Sequence, residues 1–529
     1  MEKSEQEREE EQGGENRMKL IDEVIKDENR IGIIGDGAEV TWAPVILIEG
    51  KEKNIGTEEL VLINNLNGNK ILAVCRRGYG RNPGLSKERY SPGRAYARVG
   101  ELPSPSRESF DFDLSVIGEI TGDGIRQNKL IIAPRSEVYM FKDKNPFELM
   151  NVDMQYEIGY YKDHKEWKVP ALVEYIPYHI GVFCTTGWGK TSLVRHKIIP
   201  LLTKAGYSVL IFDWKGDDYV PEKMNMPVYV FKADEISEEI SEILLKEVNE
   251  EGKYEKFAEE LLKNMDYIGY TPDSGVVKAF KRAIKKALEE CLKNKKKNGE
   301  ELKECLANKA PNLLQEYTNY RLDDNKKLLK NYINDENKSS FDKVLKHIKG
   351  DSDELVKVED IIESIKEKGK IGVVDLSGRE KDEKLKIFLN IAKFLRYKMD
   401  VRKEKIGVAL IIDEAPQYCP HSPKGLENDT TNIISDLCAL GRSYELPVVL
   451  ISQGMSGEIG INAAVRRNIN TWFIGKIHPL DREEAKKLLP RVDLDFLQSL
   501  DVGHFYFFGN MSPSPVPLLI RFEIVERSE

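Results

Sequence analysis

A glycine-rich segment has the residue types and the spacing that hold phosphate groups. It follows the apolar run Ile180–Phe183, precedes a helical pattern, and reads Cys184, Thr185, Thr186, Gly187, Trp188, Gly189, Lys190, Thr191 and Ser192. In such a loop the backbone N–H groups and the start of the next helix face phosphate oxygens. The segment predicts a phosphate-binding loop, with a chance turn as the alternative. Nucleotide contacts are expected from Gly187, Trp188, Gly189, Lys190, Thr191 and Ser192.

Two acidic residues that follow an apolar strand complete the chemistry predicted for this loop. Lys190 would reach the β- and γ-phosphates of ATP, and the Thr191 hydroxyl would bind Mg²⁺. The run 408–412 is wholly apolar and ends in Asp413 and Glu414. Asp413 would hold Mg²⁺, and Glu414 would act as the general base on the attacking water. Without the loop, two acids at a strand end would be an ordinary feature; with it, they predict an ATPase with Mg²⁺ as cofactor.

Three further polar positions lie where they could assist this reaction. Arg442 precedes the apolar run 448–451 and could stabilise charge on the γ-phosphate, in the same chain or across a subunit boundary. Gln453 follows that run, where ligands bind in parallel α/β sheets. Asp213 and Asp218 follow another apolar run and could approach the metal. A surface ion pair for the arginine, and capping roles for the other residues, explain each position about equally well.

The elements that position these residues indicate an α/β fold. Apolar, β-branched runs separated by helical patterns predict a parallel sheet covered on both faces. Short apolar runs split by Gly, Pro and Asn, between about 18 and 149, indicate a small β-barrel or sandwich. Apolar residues at spacings of three and four predict a helical insertion, with examples at Ile240, Ile243, Leu244 and Val248. We predict a tail at 1–17, a barrel at 18–150, an ATPase domain at 151–232 and 351–529, and an insertion at 233–350.

Composition excludes several classes of protein. The chain has 529 residues, 40% of them hydrophobic, which is enough for large cores and excludes global disorder. The Glu-rich N-terminus predicts a disordered acidic tail, and the chain has no apolar run long enough for a membrane span. The six cysteines form no CxxC pair, which predicts no disulfide framework and fits a reducing cytoplasm. The abundance of Lys and Glu hints at a thermophilic source.

The charge pattern leaves nucleic-acid binding open. The net charge is −9, which does not by itself indicate a nucleic-acid partner. It also does not exclude a local basic surface. The stretch 76–98 holds Arg76, Arg77, Arg81, Lys87, Arg89, Arg94 and Arg98 with interleaved tyrosines. Such a stretch could bind a phosphate backbone, and it could equally be a solvated loop or a subunit interface.

Taken in order along the chain, these motifs resemble the HerA–FtsK superfamily of P-loop motor ATPases, and the HerA family in particular. The resemblance is carried by the loop at 184–191, the segments Asp213-Trp-Lys-Gly-Asp-Asp and Ile412-Asp-Glu-Ala, and the segments Gly441-Arg-Ser-Tyr and Leu450-Ile-Ser-Gln. It implies a RecA-like core preceded by a small β-barrel. It also implies a hexameric ring that hydrolyses ATP to move double-stranded DNA, acting with a NurA-type nuclease in DNA end processing or repair.

Two departures from the family pattern indicate a divergent paralogue. Cys184 replaces the first glycine of the loop. Tyr178 occupies the position twelve residues before Lys190, where HerA proteins can carry an arginine that serves the neighbouring subunit's nucleotide. Two alternatives therefore stay open: a motor of the same superfamily with another cargo, such as DNA transfer, and an ATP-gated scaffold that does not translocate.

Overall fold

The computed structural model describes residues 5–86, 91–101, 108–233, 236, 258, 262, 274–292, 299–335, 356, 358–366, 369–455 and 457–524. The chain forms two compact units, the first comprising Met1–Ala233 with Ile362–Glu529 and the second Asp234–Ile361. The domain boundaries predicted from the sequence stay predictions, because the first unit contains both the barrel and the nucleotide-binding part. The predicted helices around Ile240 and Val248 lie outside the described residues.

A closed β-barrel forms the N-terminal part of the first unit. Within the described residues its strands are β1 (Arg30–Ile34), β2 (Trp42–Leu47), β3 (Leu60–Asn64), β4 (Lys70–Arg81), β5 (Ser109–Thr121), β6 (Gly124–Arg126) and β7 (Glu137–Met140). The strand order is β2-β1-β7-β3-β4-β5-β6, and an additional pairing of β2 with β5 closes the ring. Buried aliphatic side chains such as Ile31, Val61 and Ala73 fill the interior. Closure leaves six of these strands without a free edge.

The helix α1 (Glu5–Val24) corrects the prediction that 1–17 is a disordered tail. Leu20, Ile21 and Val24 recur at helical spacing and are buried in the core of the first unit. The buried Arg17 donates from Nε to the carbonyl oxygen of Gly122 at 2.9 Å. The acidic composition predicted disorder, but the apolar stripe at the end of this segment anchors it as a helix.

A second sheet carries the nucleotide-binding part. Its described strands are β8 (Glu157–Tyr161), β9 (His164–Pro170), β10 (Ile180–Phe183), β11 (Ser208–Asp213), β12 (Val228–Lys232), β13 (Ile371–Asp375), β14 (Val408–Ile412), β15 (Val448–Ser452), β16 (Thr471–Ile474), β17 (His504–Gly509) and β18 (Leu518–Arg521). The order is β12-β13-β11-β14-β15-β10-β16-β17-β18-β8-β9. Pairings from β12 through β16 are parallel, and those from β16 to β9 are antiparallel. This arrangement confirms the predicted α/β class with a RecA-like parallel core.

Helices cover the sheet and connect its strands. The described α-helices after α1 are α2 (Pro92–Arg98), α3 (Lys190–Leu193), α4 (Ile199–Lys204), α5 (Gly275–Leu292), α6 (Gly299–Leu313), α7 (Leu322–Asp335), α8 (Val358–Ile365), α9 (Lys381–Asp400), α10 (Leu426–Gly441), α11 (Ala463–Arg466), α12 (Arg482–Leu488) and α13 (Leu494–Gln498). A π-helical turn, Val194–Ile198, joins α3 to α4. Helices α3 and α4 connect β10 to β11, α9 connects β13 to β14, and α10 connects β14 to β15, as is usual for parallel strands. In the part of the chain that the structure describes, no helix has both the length and the apolar character of a membrane span.

The second unit is a helical bundle with its own core. Phe280, Ile284 and Leu288 of α5 pack with Leu302 and Leu306 of α6. A disulfide joins Cys291 at the end of α5 to Cys305 in α6. This bond corrects the prediction of a chain without disulfides, because the two cysteines share no short motif and meet only when the helices pair.

A buried ion pair joins the barrel to the second sheet. Arg76 on β4 contacts Glu58, and both side chains are 1% exposed. Arg76 also donates to the carbonyl oxygen of Pro517, and the Tyr506 hydroxyl donates to Glu58 at 3.0 Å. Arg76 is therefore excluded from the basic surface predicted for 76–98, whereas Arg77 keeps an exposed side chain. The predicted members Lys87 and Arg89 lie outside the described residues.

His179 has a structural role in the second sheet. Its Nδ1 accepts from the N–H of Val448 at 3.1 Å, and its Nε2 lies 2.7 Å from the carbonyl oxygen of Cys438. The ring thus ties the start of β10 to the start of β15 and to α10. Burial lowers the pKa of His179 to about 4, and the bond to Cys438 opposes this shift.

We expect His179 to make the protein less stable in mild acid. Its pKa is lower in the folded state than in the unfolded chain, so the unfolded state takes up the proton first. Stability therefore falls as the pH drops from about 6.5 towards 4, by about 2 kcal/mol between pH 8 and pH 5. Chemical unfolding at both pH values should show that His179→Gln loses most of this dependence. The exposed His421 supplies the control, since His421→Gln should keep it; equal pH dependence in all three proteins would contradict the assignment.

Candidate nucleotide-binding site

The parallel register brings the predicted site residues to one edge of the second sheet. Phe183, the last residue of β10, is level with Ser452 of β15. Ile412, the last residue of β14, is level with Phe212 of β11 and Leu450 of β15. The segments that follow these strands are therefore neighbours at the carboxyl edge, where ligands bind in sheets of this kind.

The glycine-rich loop leaves β10 and ends at the start of α3. Gly187 and Gly189 have φ angles of +82° and +97°, a backbone region that favours glycine. A Cβ atom at Gly189 would come within 3.3 Å of Ile524. Lys190 begins α3, and its Nζ lies 3.3 Å from the carbonyl oxygen of Thr185 in the same loop. The loop thus folds back over its own lysine, as a phosphate-binding loop does.

Residues around the loop explain the two unusual letters of the motif. The side chain of Cys184 is fully buried, and a Cβ atom at Gly475 would lie 2.9 Å from its sulfur. The missing glycine at 184 is therefore accommodated by a glycine on the neighbouring segment. Trp188 donates from Nε1 to the carbonyl oxygen of Leu500 at 2.8 Å, and Lys476 lies over its ring at 4.1 Å. The Trp188 indole is thus held by the segment around Leu500.

Thr191 and Ser192 lie in the first turn of α3, directly after Lys190. Both are partly exposed in this turn. Burial lowers the pKa of Lys190, while Cys184 and the acidic residues Glu414 and Asp413 oppose this effect. The lysine is therefore close enough to the acids after β14 to interact with them electrostatically.

Asp413 and Glu414 stand at the end of β14 in different environments. Asp413 is 5% exposed, and its carboxylate accepts from the N–H of Glu414 at 2.9 Å. Burial, reinforced by the negative charge of Glu414, raises the pKa of Asp413 to about 7. Glu414 adopts a left-handed conformation with φ +49°, which is uncommon for a residue with a side chain. Its carboxylate is turned towards the loop after β15.

A chain of hydrogen bonds connects Glu414 to the glycine-rich loop. Gln453 donates from Nε2 to the two oxygens of Glu414, at 2.9 and 3.2 Å. The Thr186 hydroxyl donates to Oε1 of Gln453 at 2.7 Å. The structure therefore brings Gln453, Glu414 and the loop together, and it adds Thr186, which the sequence motif did not single out.

Lys215 is a second contact of Glu414 that the sequence did not identify as a site residue. Its Nζ lies 2.8 Å from Oε1 of Glu414, and the two side chains are 52% and 16% exposed. Lys215 belongs to the loop after β11, the strand beside β14. Its place after a buried strand was a usable signal for the carboxyl edge, although its pairing with Glu414 also depends on β11 and β14 being neighbours.

Three carboxylates after β11 and β14 could hold a divalent cation. Oxygens of Asp213, Asp218 and Asp413 lie within 4.8 Å of one another. Carboxylate oxygens suit Mg²⁺. Both oxygens of Asp213 are already engaged, because they accept backbone N–H groups of Lys215, Gly216, Asp218 and Tyr219 at 2.9–3.2 Å. Asp213 therefore shapes the loop, and Asp413 and Asp218 have more capacity for a metal.

Arg442 lies away from the other predicted residues. It follows α10 and precedes β15, and its guanidinium lies 4.2 Å from the centre of the Tyr178 ring. Tyr178 precedes β10, so both residues occupy the amino edge of the sheet. Strands of five residues span about 16 Å between the edges. The structure does not bring Arg442 to Lys190 of the same chain.

Comparison with known proteins agrees with this geometry. Residues 156–395 match the family described as the central domain of the helicase HerA. No curated protein matches the chain. Similar solved structures include VirB4 of Thermoanaerobacter pseudethanolicus, with 16% identity, 69% of this chain and 96% of that chain covered, and a TM-score of 0.40. The bacterial conjugative coupling protein TrwB has 11% identity, coverages of 70% and 91%, and a TM-score of 0.40.

A viral protein is similar over a comparable length. The genome packaging NTPase B204 from Sulfolobus turreted icosahedral virus 2 has 13% identity, coverages of 65% and 98%, and a TM-score of 0.31. These TM-scores are low, and the fold class is established by this chain's own strand order. The family match includes the glycine-rich loop and the loop after β11, and it confirms the resemblance predicted from them. The segment 156–395 of this chain is therefore similar to the family described as the central domain of the helicase HerA.

Proposed function

We propose that this protein is an ATP-hydrolysing motor that moves DNA. One observation carries the proposal: Glu414, Gln453 and Thr186 form a continuous hydrogen-bonded chain from the acidic strand end to the glycine-rich loop. Such a chain links a residue able to activate water to a loop able to hold phosphates. Glu414 also adopts a left-handed backbone conformation, of the kind that occurs at functional sites.

The proposed mechanism assigns one task to each residue. Backbone N–H groups from Gly187 to Ser192 would bind the phosphates, and Lys190 would neutralise their charge. Thr191 and Asp413 would hold Mg²⁺, which supplies charge neutralisation when it is bound. Glu414 would accept a proton from the water that attacks the γ-phosphate.

Gln453 is proposed as the residue that links phosphate loss to movement. It contacts both the base and the loop, through Glu414 and Thr186. When the γ-phosphate departs, a shift of either partner would pull on Gln453 and on β15 behind it. The proposed coupling uses only the contacts of Gln453 with Glu414 and Thr186.

Arg442 supports a proposal of subunit assembly. Because it lies at the amino edge, it can serve as a finger only for the nucleotide of a neighbouring subunit. Head-to-tail contacts of this kind form a closed ring when the rotations between successive subunits add up to a full turn. The family resemblance implies six subunits, and a hexameric ring is the assembly we propose.

The DNA cargo is proposed from the family match and from charge. Arg77 and Arg81 on β4, and Arg94 and Arg98 on α2, have exposed side chains on the barrel. Arginines at such positions can bind a phosphate backbone. Double-stranded DNA, a NurA-type nuclease partner and a role in DNA end processing follow the HerA resemblance. The runners-up are another cargo of the superfamily and an ATP-gated scaffold.

The first test is steady-state ATP hydrolysis at elevated temperature, with and without linear duplex DNA. We expect DNA to stimulate hydrolysis, because a translocase couples the two events. Lys190→Ala should weaken nucleotide binding, since the phosphates lose their cation. Glu414→Gln should bind ATP with little change and lower kcat by about 10²-fold or more, since the base is lost. Hydrolysis that ignores DNA would favour another cargo, and normal turnover by Glu414→Gln would show that the base is a different residue.

The second test mixes subunits to place Arg442. Arg442→Ala and Lys190→Ala should each abolish most hydrolysis alone. In mixtures, an Arg442→Ala subunit keeps an intact loop and a Lys190→Ala subunit keeps an intact arginine. Some interfaces then combine the two intact halves, so activity should reappear. Arg402, exposed at the end of α9, gives a matched control, since Arg402→Ala should be active alone. No recovery in any mixture would argue that Arg442 acts within its own chain or has a structural role.

A further inference from the structure

We propose that Lys215 is a positioning residue that restrains Glu414 and keeps hydrolysis slow until the restraint is released. This inference rests on the proposed function, because it concerns the base of that reaction. The central observation is the 2.8 Å contact between Nζ of Lys215 and Oε1 of Glu414. Nε2 of Gln453 lies 2.9 Å from the same oxygen. Oε1 of Glu414 is thus shared by two donors.

The chemistry of a restrained carboxylate differs from that of a free base. A carboxylate oxygen bound to an ammonium group has its lone pairs engaged and its negative charge compensated. Such an oxygen is a poorer acceptor for a proton from water. For Glu414 to act on water, either Lys215 must leave or the carboxylate must rotate. The Lys215 side chain is 52% exposed and the Glu414 side chain only 16%, so departure of Lys215 is the simpler route.

Hydrogen bonds hold the backbone of the loop that carries Lys215, whereas its side chain is partly exposed. The four N–H groups that Asp213 accepts hold the backbone on either side of the loop's turn. Gly216 has φ +79°, and a Cβ atom there would meet Asp375 at 2.1 Å, so the turn tolerates only glycine. The Lys215 side chain is nevertheless 52% exposed. A small motion of this side chain can therefore release Glu414 without rebuilding the loop.

The surrounding charges hold Lys215 in place while it is paired. The hydrogen bond to Glu414 raises the pKa of Lys215, and Asp218 and Asp413 add to this effect. The positive charge of Lys215 also contributes to the lowering of the Lys190 pKa. The positive charge of Lys215 thus acts both on these acids and on the lysine of the phosphate-binding loop. A half-exposed ion pair of this type is weak enough to open during each catalytic cycle.

The experiment measures basal ATP hydrolysis of the full chain, without DNA, for three single variants. Lys215→Met removes the charge and keeps most of the stem. It should raise kcat by about three- to tenfold while the KM for ATP stays within about twofold, because only the base is freed. Lys215→Arg keeps a cation in reach of Glu414 and should restore the low rate. Lys223→Met changes an exposed lysine of the same segment, which donates to the carbonyl oxygen of Asp217, and should leave the rate unchanged.

A double variant separates the restraint from a structural effect. In Glu414→Gln the pair is already broken, so adding Lys215→Met should change nothing further. An unchanged or lower kcat in Lys215→Met, beside a wild type that hydrolyses ATP in a Lys190-dependent way, would overturn the restraint and leave the proposed function intact. Hydrolysis in neither protein would overturn the proposed function, and the restraint with it. Hydrolysis in Lys215→Met alone would support both.

Discussion

The parallel register of the second sheet is the constraint on which the candidate site depends. The strands β10, β11, β14 and β15 pair in parallel and end within two residues of one another, so the segments after them meet at one edge. These strands are buried on both faces, so the close packing of their side chains against the covering helices holds the register. The fully apolar runs in these strands therefore position Lys190, Asp413 and Gln453, although none of the apolar side chains takes part in the chemistry.

This constraint also explains how much of the site could be predicted from the sequence. Residues that immediately follow a recognisable buried strand, such as Glu414 and Gln453, could be placed at the carboxyl edge from the sequence alone. Lys215 follows its strand too, yet its pairing with Glu414 depends on which strands are neighbours. Strand order is set by the packing of the whole domain, and no local pattern encodes it. The sequence pattern placed Arg442 ahead of a core strand. Its separation from Lys190 became clear only from the folded sheet, in which the two residues lie at opposite edges.

Predictions from composition failed where burial decided the outcome. The acidic N-terminus contained an apolar stripe, and Leu20 and Val24 anchor it as a helix. Arg76 stood in a basic stretch, but it is buried against Glu58 and Pro517. A buried charge needs a partner, because leaving either charge unpaired costs several kcal/mol. Arg76 therefore links the barrel to the second sheet, while its neighbour Arg77 remains at the surface.

The positions of Lys215 and Arg442 give hydrolysis two separate conditions under the proposed function. Lys215 engages Glu414 from within the chain, and Arg442 is held on Tyr178 at the far edge. Under the HerA resemblance, Tyr178 stands at a position where some family members carry an arginine. In this chain the ring of Tyr178 contacts the guanidinium of Arg442 instead. A single subunit then has a restrained base and no finger for its own nucleotide. Rapid turnover would require both release of the base and contact with a neighbour, which makes hydrolysis a property of the assembly.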